Sequence, residues 1–190
     1  TYAGGDSASA GLSGTCTDTA GNVSTAVSVG LKYDATPPSV SPTPDREPDN
    51  KGWYRKPVTV SFSGADATSG VAGCSAPARY AGPDLTKAAV TGSCRDRAGN
   101  SAEVSHTLAY DATAPRLARV QAEVDEGIAR LGWDRADDVV RVEIVRMPGI
   151  NGAKATTVYR GTGAAFADRT VRTGVRYRYA LSVADVAGNV

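Results

Sequence analysis

Along this chain apolar residues recur at every second position over short spans. Val58, Val60 and Phe62 alternate with Thr59, Ser61 and Ser63. Val104, His106, Leu108 and Tyr110 share one parity, and Val27, Val29, Leu31 and Tyr33 share another. Leu131 and Trp133 are expected to point inward, with Ile128, Arg130 and Gly132 on the opposite face. Val140, Val142 and Ile144 form a further set, as do Tyr177, Tyr179, Leu181 and Val183. A period of two places one face of a strand in a core and the other in solvent. No segment keeps a period of 3.6 over three turns, so the pattern predicts an all-β chain. The Ala98-Gly99-Asn100 tripeptide predicts a tight hairpin, because Gly and Asn tolerate positive φ. Asn151-Gly152 predicts another.

The pattern repeats. Residues 14–24 read GTCTDTAGNVS and residues 92–102 read GSCRDRAGNSA, which maps Cys16 onto Cys94. Tyr2-Ala3-Gly4-Gly5-Asp6 maps onto Tyr80-Ala81-Gly82-Pro83-Asp84, and Tyr33-Asp34-Ala35-Thr36 onto Tyr110-Asp111-Ala112-Thr113. Proline follows each copy, as Pro37 and Pro38 and then as Pro115. A third echo, Asp185-Val186-Ala187-Gly188-Asn189, closes the sequence. The unit of about 77 residues is the size of a small sandwich. The expected organisation is the C-terminal part of one repeat (1–36), a complete repeat (37–113) and a third module lacking its last strand (114–190). The first and last modules are therefore expected to be truncated, in an array stiffened by proline at each link.

Composition agrees with several thin cores. Aromatics make up 6% of the 190 residues, while Gly numbers 21 and Pro 10. The 21 basic and 20 acidic side chains leave a net charge of +1. The charges are scattered, with no basic stripe of the kind nucleic acid requires. Arg176 and Arg178 read as the solvated face of a strand. No run of 18 apolar residues occurs, so no membrane-spanning segment is expected.

With these residues in view, the chain resembles two families. Trp133, the Tyr177-x-Tyr179-x-Leu181-x-Val183 strand and the closing Asp185-x-Ala-Gly-Asn189 make residues 114–190 similar to fibronectin type III domains of bacterial surface proteins and secreted glycosidases. Gly52-Trp53-Tyr54, Pro57-Val58-Thr59-Val60, Asp66-Ala67-Thr68-Ser69-Gly70-Val71 and Asp96-Arg97-Ala98-Gly99-Asn100 make residues 37–113 resemble bacterial immunoglobulin-like surface repeats. Residues 1–36 resemble the second half of another such repeat. The resemblance implies tandem immunoglobulin-like and fibronectin type III-like β-sandwiches, an architecture that hosts many roles.

Cys74 and Cys94 fall in one repeat, 20 positions apart, and a structural disulfide is expected between them. Closing such a loop contributes roughly 3 kcal/mol in the chain-entropy model. Cys16 matches Cys94 and is expected to be unpaired because the first repeat is truncated. A disulfide points to an oxidising, extracellular or cell-surface location.

Catalytic chemistry is not expected. His106 is the sole histidine and sits where the first copy has Val29. No Gly-x-Ser-x-Gly turn, phosphate loop or C-x-x-C zinc pair is present. The carboxylate groups Glu123, Asp125 and Glu126, and Asp134, Asp137 and Asp138, read as solvated loops beside turns. No cofactor is expected, with one alternative open, Ca2+. Asp34 and Asp111 at the repeat junctions, and Asp18, Asp96 and Asp185 before the Ala-Gly-Asn turns, offer it carboxylates. The competing role is to bond their own turn backbone. Trp53 and Tyr54 are candidate aromatics for stacking on sugar, or else cap the sandwich end.

The expected function is a non-catalytic extracellular spacer, stalk or adhesive module of a bacterial surface or secreted protein. Its partners would be neighbouring modules of the same chain and a surface protein or glycan, with neither nucleic acid nor membrane insertion. The alternatives are a carbohydrate-binding accessory module of a secreted glycoside hydrolase and a calcium-stiffened adhesin array.

Overall fold

A computed structural model describes residues 1–149 and 154–190, and the Asn151-Gly152 turn lies outside the described residues. The described chain is all-β. Its strands are β1 (Ser7–Gly14), β2 (Val27–Tyr33), β3 (Ser39–Pro44), β4 (Trp53–Tyr54) and β5 (Val58–Ala65). Next come β6 (Val71–Cys74), β7 (Ala78–Tyr80), β8 (Leu85–Asp96), β9 (Ser101–Tyr110) and β10 (Leu117–Asp125). The last are β11 (Ile128–Arg135), β12 (Arg141–Pro148), β13 (Thr156–Gly161), β14 (Ala165–Asp168) and β15 (Tyr177–Ala184).

Two compact units are present. The first comprises Thr1–Glu47, Pro57–Ala81 and Ala89–Thr107, and the second Pro48–Lys56, Gly82–Ala88 and Leu108–Val190. Strands β8 and β9 have their turn ends in the first unit and their other ends in the second.

In the first unit β1 and β2 form an antiparallel hairpin, and β3, β5 and β7 form a three-stranded sheet in the order β3-β5-β7. Strand β6 pairs antiparallel with β8, placing Cys74 opposite Cys94. Val58 and Val60 are fully buried and Phe62 nearly so, while Ser61 and Ser63 are exposed. The alternation read from the sequence is thus the pleat of β5. Each buried valine contributes about 1.5–3 kcal/mol relative to exposure.

The second unit holds a sandwich of two three-stranded sheets, ordered β10-β11-β14 and β13-β12-β15. The first, second and fifth strands of this β-sandwich thus form one sheet, and the third, fourth and sixth form the other. Leu131 and Trp133 from one sheet pack with Val142, Ile144 and Val183 from the other. The Trp133 and Tyr159 rings meet edge-on at 6.0 Å, and Tyr159 lies 5.3 Å from Phe166. Edge-to-face geometry sets the positive rim of one ring against the negative face of another.

One expectation is corrected here. Val140 is exposed and Val139 takes the interior position. The cause is a turn in which Val139 N–H bonds the Ala136 carbonyl at 3.2 Å, so the strand parity starts only at Arg141. Periodicity carries no information across a turn, and the valine pair Val139-Val140 was ambiguous for that reason.

Also in the second unit, β4 pairs parallel to β9, Trp53 with Ala109 and Tyr54 with Tyr110. A two-residue strand added to that edge draws the Tyr54 ring inside.

Candidate functional site

The Asp-x-Ala-Gly-Asn segments adopt one geometry three times. In each, the aspartate N–H bonds the asparagine carbonyl: Asp18 to Asn22 at 2.9 Å, Asp96 to Asn100 at 3.0 Å and Asp185 to Asn189 at 3.2 Å. The glycine takes positive φ each time, +90° at Gly21, +107° at Gly99 and +88° at Gly188. A residue with a Cβ pays steric strain there. The aspartate carboxylate fills the loop. Asp96 Oδ1 accepts the N–H groups of Gly99 at 2.6 Å and Asn100 at 2.8 Å, and Oδ2 accepts Asn100 Nδ2 at 2.9 Å. Asp18 and Asp185 hold Asn22 and Asn189 the same way. The turn is therefore a five-residue loop organised by its first side chain rather than a bare Gly-Asn hairpin.

The asparagine does more than close its own turn. In the first unit Asn100 Nδ2 donates to the Asp34 carbonyl at 3.2 Å. In the second unit Asn189 Nδ2 donates to the Asp111 carbonyl at 3.1 Å. Asp34 and Asp111 are equivalent residues of successive copies, so each turn grips the tail of the repeat before it.

The gripped tails are fixed from their own side too. Asp6 accepts Ala35 N–H at 2.8 Å and the Thr36 hydroxyl, and Asp84 accepts Ala112 N–H at 2.9 Å and the Thr113 hydroxyl. Hydrogen bonds from those threonine hydroxyls, and then from the backbone, hold the Asp6 and Asp84 carboxyls below the usual carboxylate value.

Each junction has additional contacts. In the first unit Ser69 N–H reaches Asp34 Oδ2 at 3.1 Å, and Asp66 Oδ1 collects the N–H groups of Ser69 at 2.9 Å and Gly70 at 2.7 Å. In the second, Arg55 Nη1 donates to the Gly188 carbonyl at 2.7 Å and Asn50 Nδ2 to the Val186 carbonyl at 3.2 Å.

The electrostatics of the two junctions differ. Asp34, Asp66 and Asp96 bring carboxylate oxygens within 4.8 Å of one another. These are the residues that could hold a hard cation. Burial pushes the Asp96 carboxyl up, but hydrogen bonds from Asn100 and Gly99 outweigh it and leave the group below its ordinary value. At the other junction Asp111 is raised, by burial first and then by the neighbouring negative charges of Asp185, Asp84 and Asp138.

Cys74 and Cys94 are disulfide-bonded, with Cα atoms 4.0 Å apart, and Cys94 is buried. Cys16 is free and exposed. Tyr54 is buried and Trp53 half-buried, so Trp53 is the member of that pair with surface to offer. His106 is half-buried on β9. Glu123, Asp125, Glu126, Asp134, Asp137 and Asp138 are all exposed, and Asp134 pairs with Arg119 at 3.1 Å.

Sequence reasoning missed a polar cluster in the second unit. Buried Asp168 accepts from Arg146 Nη1 at 2.8 Å, from the Tyr179 hydroxyl at 2.9 Å and from Thr170 N–H and Oγ1 at 2.9 and 2.7 Å. Burial and the Asp168 carboxylate push Tyr179 up to about 12. Asp168-x-Thr170 was the available signal, an aspartate bonding the residue two ahead.

No protein-family profile and no curated protein sequence matches the chain. Among solved structures, the crystal structure of domains A168-A170 from titin is similar in outline. It is 10% identical, with a TM-score of 0.49 over 95% of this chain and 70% of that one.

Proposed function

We propose that this chain is a non-catalytic spacer or stalk segment of an extracellular, bacterial surface-displayed or secreted protein, whose repeats are joined by specific clasps. The observation that carries the reading is the recurrence of one contact at two successive junctions, Asn100 to Asp34 and Asn189 to Asp111. A hydrogen bond to main chain that recurs at the repeat period favours ordered neighbours over freely jointed ones. The disulfide supports an oxidising compartment. Asp66, Asp96 and Asp185 hold backbone N–H groups in turns and at junctions. Single-molecule stretching of the chain tests this role. The intact chain should extend mainly by unfolding of β-sandwiches, whereas Asn100→Ala with Asn189→Ala should yield first at low force. Identical force–extension curves would contradict it.

A second reading is favoured by one observation, the approach of the Asp34, Asp66 and Asp96 carboxylates. Three like charges so close repel, and calcium bound there would offset the repulsion and stiffen the junction. Calcium added to chelator-treated protein should then raise the melting temperature, and Asp66→Asn should abolish the rise. A melting temperature indifferent to calcium removes this reading. The glycan-binding alternative rests on Trp53 alone and would show as quenching or protection of its fluorescence by sugars.

A further inference from the structure

Strand β6 is held by little besides its disulfide. It has four residues and lies at the edge of its sheet, with β8 as its one strand partner among the described residues. No β6 side chain is fully buried: Val71 and Cys74 are half-buried, and Ala72 and Gly73 are exposed. The pairing with β8 is also irregular, with a register shift between Val71 and Gly73. An edge strand with no buried apolar anchor and a broken ladder opens readily. The covalent tie joins Cys74 to Cys94, which face each other directly across the two strands.

Both strands run from that tie into the junction around Asp34. Back from Cys74, β6 starts at Val71, directly after the loop of residues 66–70. That loop supplies Ser69 N–H to Asp34 Oδ2 at 3.1 Å. Forward from Cys94, β8 ends at Asp96, which shapes the turn whose Asn100 Nδ2 reaches the Asp34 carbonyl at 3.2 Å. Loop and turn are stitched together by Arg97 N–H to the Gly70 carbonyl at 2.9 Å and by Ala98 N–H to Ser69 Oγ at 3.3 Å. Arg97 and Ala98 are exposed, so water competes for these bonds. The second-unit junction has no such tie, because the three cysteines of the chain are Cys16, Cys74 and Cys94.

The two sulfurs differ in access. Cys94 is buried, and a Cβ on Gly64 would lie 2.9 Å from its Sγ, so the β5 main chain shelters it. Cys74 sits half-buried on the open edge. We infer that the Cys74–Cys94 bond is a thiol-sensitive latch on the first-unit junction. Oxidised, it keeps the Ser69 arm on Asp34; reduced, it releases β6 and that arm with it. The inference rests on the reading of the chain as a clasped spacer. The reductant is an external dithiol. Its thiolate attacks Cys74 Sγ, the bond to Cys94 breaks, and Cys94 leaves as a thiolate that takes up a proton. The second thiol of the reagent then attacks the mixed disulfide and expels Cys74. Two electrons pass to the protein, which gains two thiols, and the dithiol becomes a cyclic disulfide.

Hydrogen exchange of the full chain carrying Cys16→Ser, in which no free thiol scrambles the bond, tests the latch before and after dithiothreitol. Reduction should speed exchange in residues 69–74 and around Asp34–Thr36 by at least about tenfold. Asp111–Thr113 should not change, and reoxidation should restore the slow exchange. Asn100→Ala in the oxidised chain is the reference for a loosened clasp. If Asn100→Ala speeds Asp34–Thr36 and reduction does not, the latch is overturned while the clasp stands. If neither does, the clasp reading fails and the latch with it. Loss of all protection in β9 on reduction would also overturn the latch, since the bond would then staple the whole sheet.

Discussion

Asn100 spends one side-chain amide on two acceptors: the Asp96 carboxylate that shapes its own turn, 2.9 Å away, and the Asp34 carbonyl of the preceding repeat, 3.2 Å away. The same side chain therefore sets the local loop and the join. Any change that collapses the turn is expected to loosen the junction, and Asn189 carries the same pair of duties toward Asp185 and Asp111.

Asn189→Ala should cost about 2–4 kcal/mol, the net worth of a hydrogen bond to a carbonyl plus one to a charged group. Asn22→Ala removes only the bond to Asp18 and should cost less. Denaturant midpoints of the two variants, measured at equal slope, compare the losses directly.

The glycines of the three turns should differ in their tolerance of alanine. At Gly21 the backbone strain of φ +90° is the only penalty, because no atom lies within 4 Å of a new Cβ. At Gly188 the Cβ would also meet Asn50 Nδ2 at 2.9 Å and disturb its bond to the Val186 carbonyl. Left-handed strain costs about 1–2 kcal/mol. Gly188→Ala should therefore lower the melting temperature more than Gly21→Ala, by differential scanning calorimetry.

Asp111 should be a source of repulsion rather than support. Its carboxyl is raised by burial and then by Asp185, Asp84 and Asp138. A raised carboxyl binds its proton more tightly folded than unfolded, so this group's contribution falls as pH rises from the unfolded value through the folded one. Asp111→Asn keeps an oxygen for the Thr113 N–H and removes the charge. It should stabilise at pH 7, with the gain vanishing as pH drops below that window. Melting curves of both proteins between pH 3 and pH 7 check the sign.

Asp168 and Tyr179 bracket the opposite behaviour in the second unit. Asp168 is lowered, so its support is full above the unfolded carboxylate value near 3.8 and is lost as pH falls through the folded one. Tyr179 is raised to about 12, so its support is full below about pH 10 and lost as pH climbs through 12. Asp168→Asn should flatten both limbs. Trp133 fluorescence, from the core of the same unit, reports the unfolding at each pH.

Reduction should act locally. Breaking Cys74–Cys94 releases a loop worth roughly 3 kcal/mol. Hydrogen exchange should accelerate in β5 and the Gly92–Asp96 end of β8, leaving β12 and β15 nearly unchanged. Equal acceleration in β12 and β15 would contradict that assignment.

Much of the strand pattern was legible in the sequence because one-sided burial writes a period of two into it. Val58, Val60 and Phe62, or Leu131 and Trp133, needed nothing else. The repeat made the turns legible as turns, and the aspartates as their internal acceptors. What the sequence does not carry is where the asparagine's second acceptor lies. Asn100 and Asp34 are 66 positions apart, and Asn189 and Asp111 are 78 apart. Nothing in local pattern links them. Capping of the sandwich end was one role the sequence offered for Trp53 and Tyr54, but the two-residue parallel pairing of β4 with β9 was hidden. Asp66 joined Asp34 and Asp96 by loop geometry alone.

The central claim, that turn asparagines order successive repeats, is tested most directly by hydrogen exchange of the segments around Asp34–Thr36 and Asp111–Thr113. Comparison is between the parent chain, Asn100→Ala and Asn189→Ala. The account predicts faster exchange around Asp34–Thr36 only in Asn100→Ala, and around Asp111–Thr113 only in Asn189→Ala. Unaltered exchange at both segments in both variants would contradict it.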